Sequence, residues 1–190
     1  VVNSELSQEI SVIFAKEVED SFHARFSAIS RHYSYFIYNA PIRSPMNINR
    51  MTWYRHLLNV EAMQEAANFL IGRHDFSSFR AAECQSKSPQ RHLMELIVTR
   101  DRSVVRMDFK ANAFLHHMVR NIVGVLLLIG HGKKPACWMK EVLEVKDRRA
   151  ADITAPPEGL YFMKVDYPEG FQMPQARQLN IVASLDFPMI

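Results

Sequence analysis

Cysteine is scarce in this sequence: Cys84 and Cys137 stand 53 positions apart among 190 residues. That spacing excludes a disulfide scaffold and suits a reducing compartment, the cytoplasm, with a single bridge left open. Six glycines and nine prolines are too few for a collagen-like repeat or a low-complexity linker. Long hydrophobic runs are missing as well. The longest, Ile122 to Ile129, is eight residues, where a membrane-spanning helix needs about 20. The opening Val1-Val2-Asn3-Ser4-Glu5 has neither the basic nor the apolar region of a signal peptide. The chain also starts on Val rather than Met, so it reads as a fragment or a processed product. Neither sign of charge dominates. Lys+Arg 23 against Asp+Glu 20 gives +3, which permits a nucleic-acid partner without requiring one, because affinity depends on where cations cluster.

What is present is an ordinary globular composition, 48% hydrophobic and 11% aromatic, in a chain long enough for one sizeable core. Alternation predicts strands over 10–18 (ISVIFAKEV) and 32–39 (HYSYFIYN), the second with Tyr33, Tyr35 and Ile37 on one face. Asn59 is the expected N-cap of a helix over 60–71 that stops at Gly72. Residues 73–90 read as a long loop, and long loops carry function more often than short ones. A hairpin follows over 91–99 and 103–110, with Val105, Met107 and Phe109 inward. Two helices come next, an apolar one over 113–129 and a shorter one after Pro135. Leu160 to Tyr167 is the last strand, and 168–190 has no clear period. The order β-β-α-β-β-α-α-β predicts an α+β domain, helices packed on a mostly antiparallel sheet, with residues 1–170 as the domain and 171–190 as an irregular tail.

Common catalytic motifs are absent. Gly132-Lys133-Lys134 resembles the end of a phosphate loop, but Leu127 stands where the first glycine is required. His116-His117 are expected on the helix, where neighbours diverge by about 100° and cannot grip one metal. Arg120 is the unusual residue. It interrupts an apolar helix, and no carboxylate lies three or four positions away. A buried guanidinium needs an anion, so its partner is distant in sequence or outside this chain, unless the side chain reaches water at a helix edge. Gly124 on the same face leaves room for a backbone or a ligand. Basic residues recur near aromatics: His23, Arg25, Arg31 and His32, then Arg80, Lys87 and Arg91, then Arg100, Arg102, Arg106 and Lys110. Such interleaving suits RNA phosphates and unstacked bases, whereas for any single charge a solvated surface is the commoner outcome.

Several ordered stretches resemble the bacterial tRNA pseudouridine synthases of the TruA family. They are Phe22-His23-Ala24-Arg25-Phe26-Ser27-Ala28, Arg31-His32-Tyr33-Ser34-Tyr35, Phe76-Ser77-Ser78-Phe79-Arg80, Cys84-Gln85-Ser86-Lys87-Ser88-Pro89, the run from Asn112 to Gly124, and Glu158-Gly159-Leu160-Tyr161. The likeness spans roughly residues 3–170 and matches the C-terminal two-thirds of the family. It implies the pseudouridine synthase fold, mainly its C-terminal half. It also implies isomerisation of uridine at positions numbered 38, 39 and 40 of the tRNA anticodon arm, a homodimer holding tRNA between subunits, and neither metal nor organic cofactor. By the same resemblance Tyr33 stacks on the flipped uracil and takes part in removing its C5 proton, and Arg120 holds a nucleophilic aspartate. The segments Phe22, His23, Ala24, Arg25, Phe26 and Glu83, Cys84, Gln85, Ser86, Lys87 would contact RNA. The family's Gly-Arg-Thr-Asp-Ala-Gly motif, which supplies that aspartate, is not in this sequence and would precede Val1. The chain is therefore expected to be inactive alone. The alternative is a non-catalytic RNA-binding and dimerisation domain.

Overall fold

The computed structural model describes residues 2–151 and 153–174. Helix α1 (Val2–Glu5) is a single turn. Strands β1 (Ser30–Asn39), β2 (Thr52–Tyr54), β3 (Gly72–Asp75), β4 (Gln90–Asp101), β5 (Val104–Ala111) and β6 (Leu160–Asp166) form one sheet. Helices α2 (Val60–Asn68), α3 (Met118–Gly130) and α4 (Trp138–Val145) complete the regular elements.

β1 is the axis of the sheet. One edge pairs antiparallel with β5 over Arg31–Tyr38. The other edge is shared end to end: β6 pairs antiparallel with Ser30–Tyr35, and β2 pairs parallel with Ile37–Asn39. The order runs β2-β1-β5-β4-β3, with β6 beside β1, a mixed and mostly antiparallel sheet. The aromatic and β-branched content of β1 suits a pleated surface covered on both sides. Tyr35 and Ile37 are fully buried toward the helices, and Phe36 on the opposite face is covered by the Tyr161 ring at 5.5 Å.

The helices bury their apolar stripes on one face. Met63, Ala66 and Ala67 of α2, Met118, Ile122, Val125 and Leu126 of α3, and Met139 and Val142 of α4 meet Leu96, Val105, Met107 and Phe109 of the sheet in one core. Asn59 caps α2 as expected, its side chain accepting from the Ala62 N–H at 2.9 Å. The β4–β5 hairpin turns at Arg102, whose φ of 50° is left-handed.

Three expectations are corrected. Residues 10–18 are not a strand: no described residue offers them a ladder, and Ile10, Ile13 and Phe14 are exposed. The 73–90 loop contains β3, a short polar strand entered through Gly72 at φ 112° and paired with β4. The apolar helix begins at Met118, not Ala113, because His117 adopts a left-handed φ of 59° and breaks the helical path. Residues 175–190, expected to be an irregular tail, lie outside the described residues.

Candidate functional site

Tyr33 is placed by the sheet. It sits on β1 opposite Phe109 of β5 and Phe162 of β6, next to a register shift between His32 and Tyr33. Its ring lies between Phe114, edge-on at 5.1 Å, and Phe162, tilted at 5.2 Å. Burial pushes its phenol above the ordinary tyrosine value, against the lowering pull of Arg31, so the ring is neutral at physiological pH.

Tyr33 opens onto a cleft of about 540 Å³ that Arg25, Arg31, Arg91, Phe114 and His116 also line. The far wall is the loop at Glu83, Cys84, Gln85 and Ser86. Two arginines fix these walls. Arg80 Nη2 donates to the carbonyls of Cys84 and Ser86, each at 2.8 Å. Arg91 Nη2 donates to Ser86 Oγ at 2.7 Å, while its Nε is buried and unpaired among the described residues. On the opposite side Arg31 donates to the carbonyls of Arg25, Ala28 and Asn112. Burial raises the Cys84 thiol, but the N–H groups of His116 and Ser86 and the Arg80 guanidinium outweigh it, leaving the thiol lowered on balance.

Arg120 does not line this cleft. It stands one step behind it: the His116 ring packs at a tilt on His117 with centroids 4.0 Å apart, and His117 Nε2 meets Arg120 Nη1 at 3.3 Å. This ring contact replaces the divergence expected for the two histidines, since neither lies within α3. Arg120 is half-buried rather than sunk in the core. Its Nε donates to the Ala155 carbonyl at 2.7 Å, and no carboxylate of the described residues neutralises it. The space left by Gly124 is filled by backbone: a Cβ there would lie 2.0 Å from the Ile153 carbonyl oxygen. Nearby, Asn121 donates to the Phe79 carbonyl at 2.8 Å and accepts from Arg148 and Thr154, tying α3 to the loops around Arg120.

The other residues expected at the site are distributed differently. Arg25 joins Tyr33 in the cleft, whereas Phe22, His23, Ala24, Phe26 and Lys87 do not. Phe22 packs on Tyr167 and Phe171, with ring centroids 5.0 and 5.1 Å away. Ala24 gives its carbonyl to the Tyr167 hydroxyl, and His23 Nδ1 accepts from the N–H groups of Arg25 and Phe26. These three shape the segment, while Phe26 is 76% exposed, its ring lying against His23 at 4.4 Å and under the Arg25 guanidinium at 5.7 Å. Phe114 and His117 were not singled out as functional by sequence reasoning. Their only signal was membership of the Asn112–Gly124 run, because the left-handed break that re-aims them has no periodic signature. Among the described residues no group of three or more His, Cys, Asp or Glu side chains is placed to hold a metal ion, and no helix is long and apolar enough to cross a membrane.

A family model described as tRNA pseudouridine synthase matches residues 66–168. The tRNA pseudouridine synthase A of Nitrosococcus oceani is 50% identical over 173 residues, which cover 91% of this chain and 67% of that protein. That of Colwellia psychrerythraea is 49% identical over 176 residues, 93% of this chain and 68% of the relative. That of Paraburkholderia xenovorans is 51% identical over 172 residues, 90% of this chain and 64% of the relative. The chain thus spans about two-thirds of the length of the relatives it matches.

Proposed function

Since the chain belongs to the tRNA pseudouridine synthase family, we propose that it carries the tyrosine and the arginine of a site that isomerises uridine in the tRNA anticodon stem-loop, at positions 38 to 40. The observation that carries this reading is the gathering of Tyr33, Arg25 and Glu83–Ser86 on one cleft, with Arg120 linked to its wall through His116 and His117. Isomerisation breaks the N1–C1′ bond, joins C5 to C1′, removes the C5 proton and leaves a proton on N1. The base must first leave its stack, which costs a few kcal/mol. Stacking on the Tyr33 ring recovers about 1–3 kcal/mol of this. Burial favours the neutral phenol of Tyr33, so the C5 proton passes to the ionised aspartate or to water, and the Tyr33 hydroxyl takes part by orienting that acceptor.

Arg120 supplies the second role. Nε and Nη1 are engaged, and the remaining nitrogen carries no hydrogen bond among the described residues. That edge receives the carboxylate of the family's Gly-Arg-Thr-Asp-Ala-Gly motif and keeps it ionised as the nucleophile. This sequence lacks the motif, so by itself the chain binds RNA without converting it. In the same reading two copies of the full-length protein, in the cytoplasm, build clefts that hold tRNA through backbone and shape contacts from Arg25, Phe26 and the Glu83–Lys87 loop.

The test is Arg120→Met in the full-length protein, read by tritium release from C5-labelled tRNA and by tRNA retention on filters. Turnover is expected to fall about 100-fold or more, with affinity changed by less than about threefold. Undiminished turnover would remove Arg120 from the site.

A further inference from the structure

His117 is given no chemical role above, yet its placement is unusual. Its backbone is left-handed, φ 59° and ψ 6°, at the first position before α3. That region is unfavourable for residues with a side chain and is entered by His more readily than by most. The conformation is clamped on both sides. His116 gives its N–H to Cys84 Sγ at 3.4 Å and its carbonyl to the Ala81 N–H at 3.0 Å. The His117 carbonyl accepts from the Asn121 N–H at 2.9 Å and opens the helix. The result turns the imidazole back over the first turn of α3, where Nε2 lies 3.3 Å from Arg120 Nη1.

The chemistry of that contact has one solution. A guanidinium carries only donors, so Nε2 must be the acceptor and the ring proton must sit on Nδ1. The opposite side of the guanidinium is fixed with equal directness: Arg120 Nε donates to the Ala155 carbonyl at 2.7 Å, and the Arg120 carbonyl accepts from the Ala155 N–H at 3.0 Å. Two of three nitrogens are pinned, and the third points where neither neighbour holds it.

We propose that His117 is a positioning residue for Arg120: its neutral imidazole accepts from Nη1 and aims the unengaged edge of the guanidinium at the incoming carboxylate. The inference rests on the reading of Arg120 given under Proposed function. It adds a dependence on protonation. The charged and titratable groups that act on the His117 ring are His116, Arg120, Glu83 and Arg148. Partial burial holds the ring below the ordinary histidine value, as do His116, Arg120 and Arg148, against the opposite pull of Glu83. At neutral pH the acceptor is therefore available. As pH falls through the folded value, the added proton removes the acceptor and sets two positive charges side by side, which releases Arg120.

Two variants and two readouts test this. His117→Gly keeps the left-handed backbone and deletes the acceptor. His117→Gln keeps an acceptor at similar reach and cannot titrate. In the full-length protein, His117→Gly is expected to lower kcat about tenfold with KM for tRNA within about twofold. His117→Gln is expected to restore most of kcat at pH 7.5 and to flatten the fall in kcat between pH 7 and pH 5. In parallel, the Arg120 side-chain N–H resonances of the chain described here are followed by 15N NMR against pH. In the parent they shift with the His117 titration; in His117→Gly and His117→Gln that inflection disappears. Wild-type kcat in a folded His117→Gly protein, or Arg120 resonances blind to His117, overturns the proposal. Turnover that survives Arg120→Met overturns the functional reading instead, while the NMR arm still reports whether His117 fixes Arg120.

Discussion

Asp166, at the end of β6, is met by four side chains from three strands. Its Oδ2 accepts from Ser30 Oγ and His32 Nε2, each at 2.6 Å, with Lys110 at 3.7 Å, and Lys164 reaches Oδ1 at 2.8 Å. Partial burial pushes the carboxyl up, but the hydrogen bonds from Lys164, Ser30 and His32 outweigh it and hold the group well below the usual carboxylate range. A carboxyl lowered by folding stabilises the fold fully above the ordinary aspartate value, about 3.9. The unfolded chain takes up protons first, so that contribution drains away as pH falls through and below this value. Asp166→Asn is expected to destabilise the chain by about 1–3 kcal/mol at pH 7, and urea midpoints of the variant should change less than those of the parent between pH 5 and pH 3. The cluster matters to the site because it adjoins the register shift beside Tyr33. Tyr33 shows what sequence can and cannot say at this scale. Its strand and face follow from alternation, but the Phe114 and Phe162 rings that set its angle come from segments 81 and 129 residues away.

Among the elements, α3 carries the tightest geometric constraint. Gly124 lets the helix touch the backbone of Ile153, where a Cβ would lie 2.0 Å from the carbonyl oxygen and 2.8 Å from the carbonyl carbon. Gly124→Ala must push the 153–155 segment away, at a cost of about 1–3 kcal/mol or more. Because Ala155 holds Arg120 Nε, the same shift should displace the guanidinium. The expected outcome is a lowered thermal midpoint together with moved Arg120 N–H resonances. A surface glycine-to-alanine control such as Gly170→Ala, where a Cβ meets nothing within 4 Å, should show neither. Legibility also divides by element. β1, the β4–β5 hairpin, α4 and the Asn59 cap were readable because each declares itself over a few residues: alternation, a turn, an amphipathic stripe, a capping amide. β3 was hidden because Gly72-Arg73-His74-Asp75 is polar and is a strand only through its ladder with β4. The run Ile10–Val18 alternates well enough, yet a strand needs a neighbour's backbone, and none is present among the described residues. The start of α3 was misplaced because apolar residues continue through Phe114 and Leu115 while the backbone turns left-handed at His117.

For the whole molecule, a net charge of +3 is too small to hold a polyanion by itself, so position must decide. Arg25, Arg31 and Arg91 converge on the cleft beside Tyr33. Phosphate contacts release counterions, and each one lost should reduce the slope of log affinity against log salt by about 1. Arg91→Gln is expected to weaken tRNA binding similarly for all tRNAs and to show that shallower slope by filter retention, with a thermal midpoint close to the parent's. An unchanged slope would mean that Arg91 serves only the loop it bonds.

The two sides of that cleft are built unequally. β1 is laddered along both edges, by β5 on one side and by β6 and β2 on the other. The facing side is the 80–89 stretch, held largely by side-chain bonds from Arg80 and Arg91 to its carbonyls and hydroxyl. A guest entering between them meets a rigid rail on one hand and a tethered awning on the other. Adjustment to its shape falls on the awning, whose course hangs on a few side-chain bonds, so grip can be tuned there without moving the phenol.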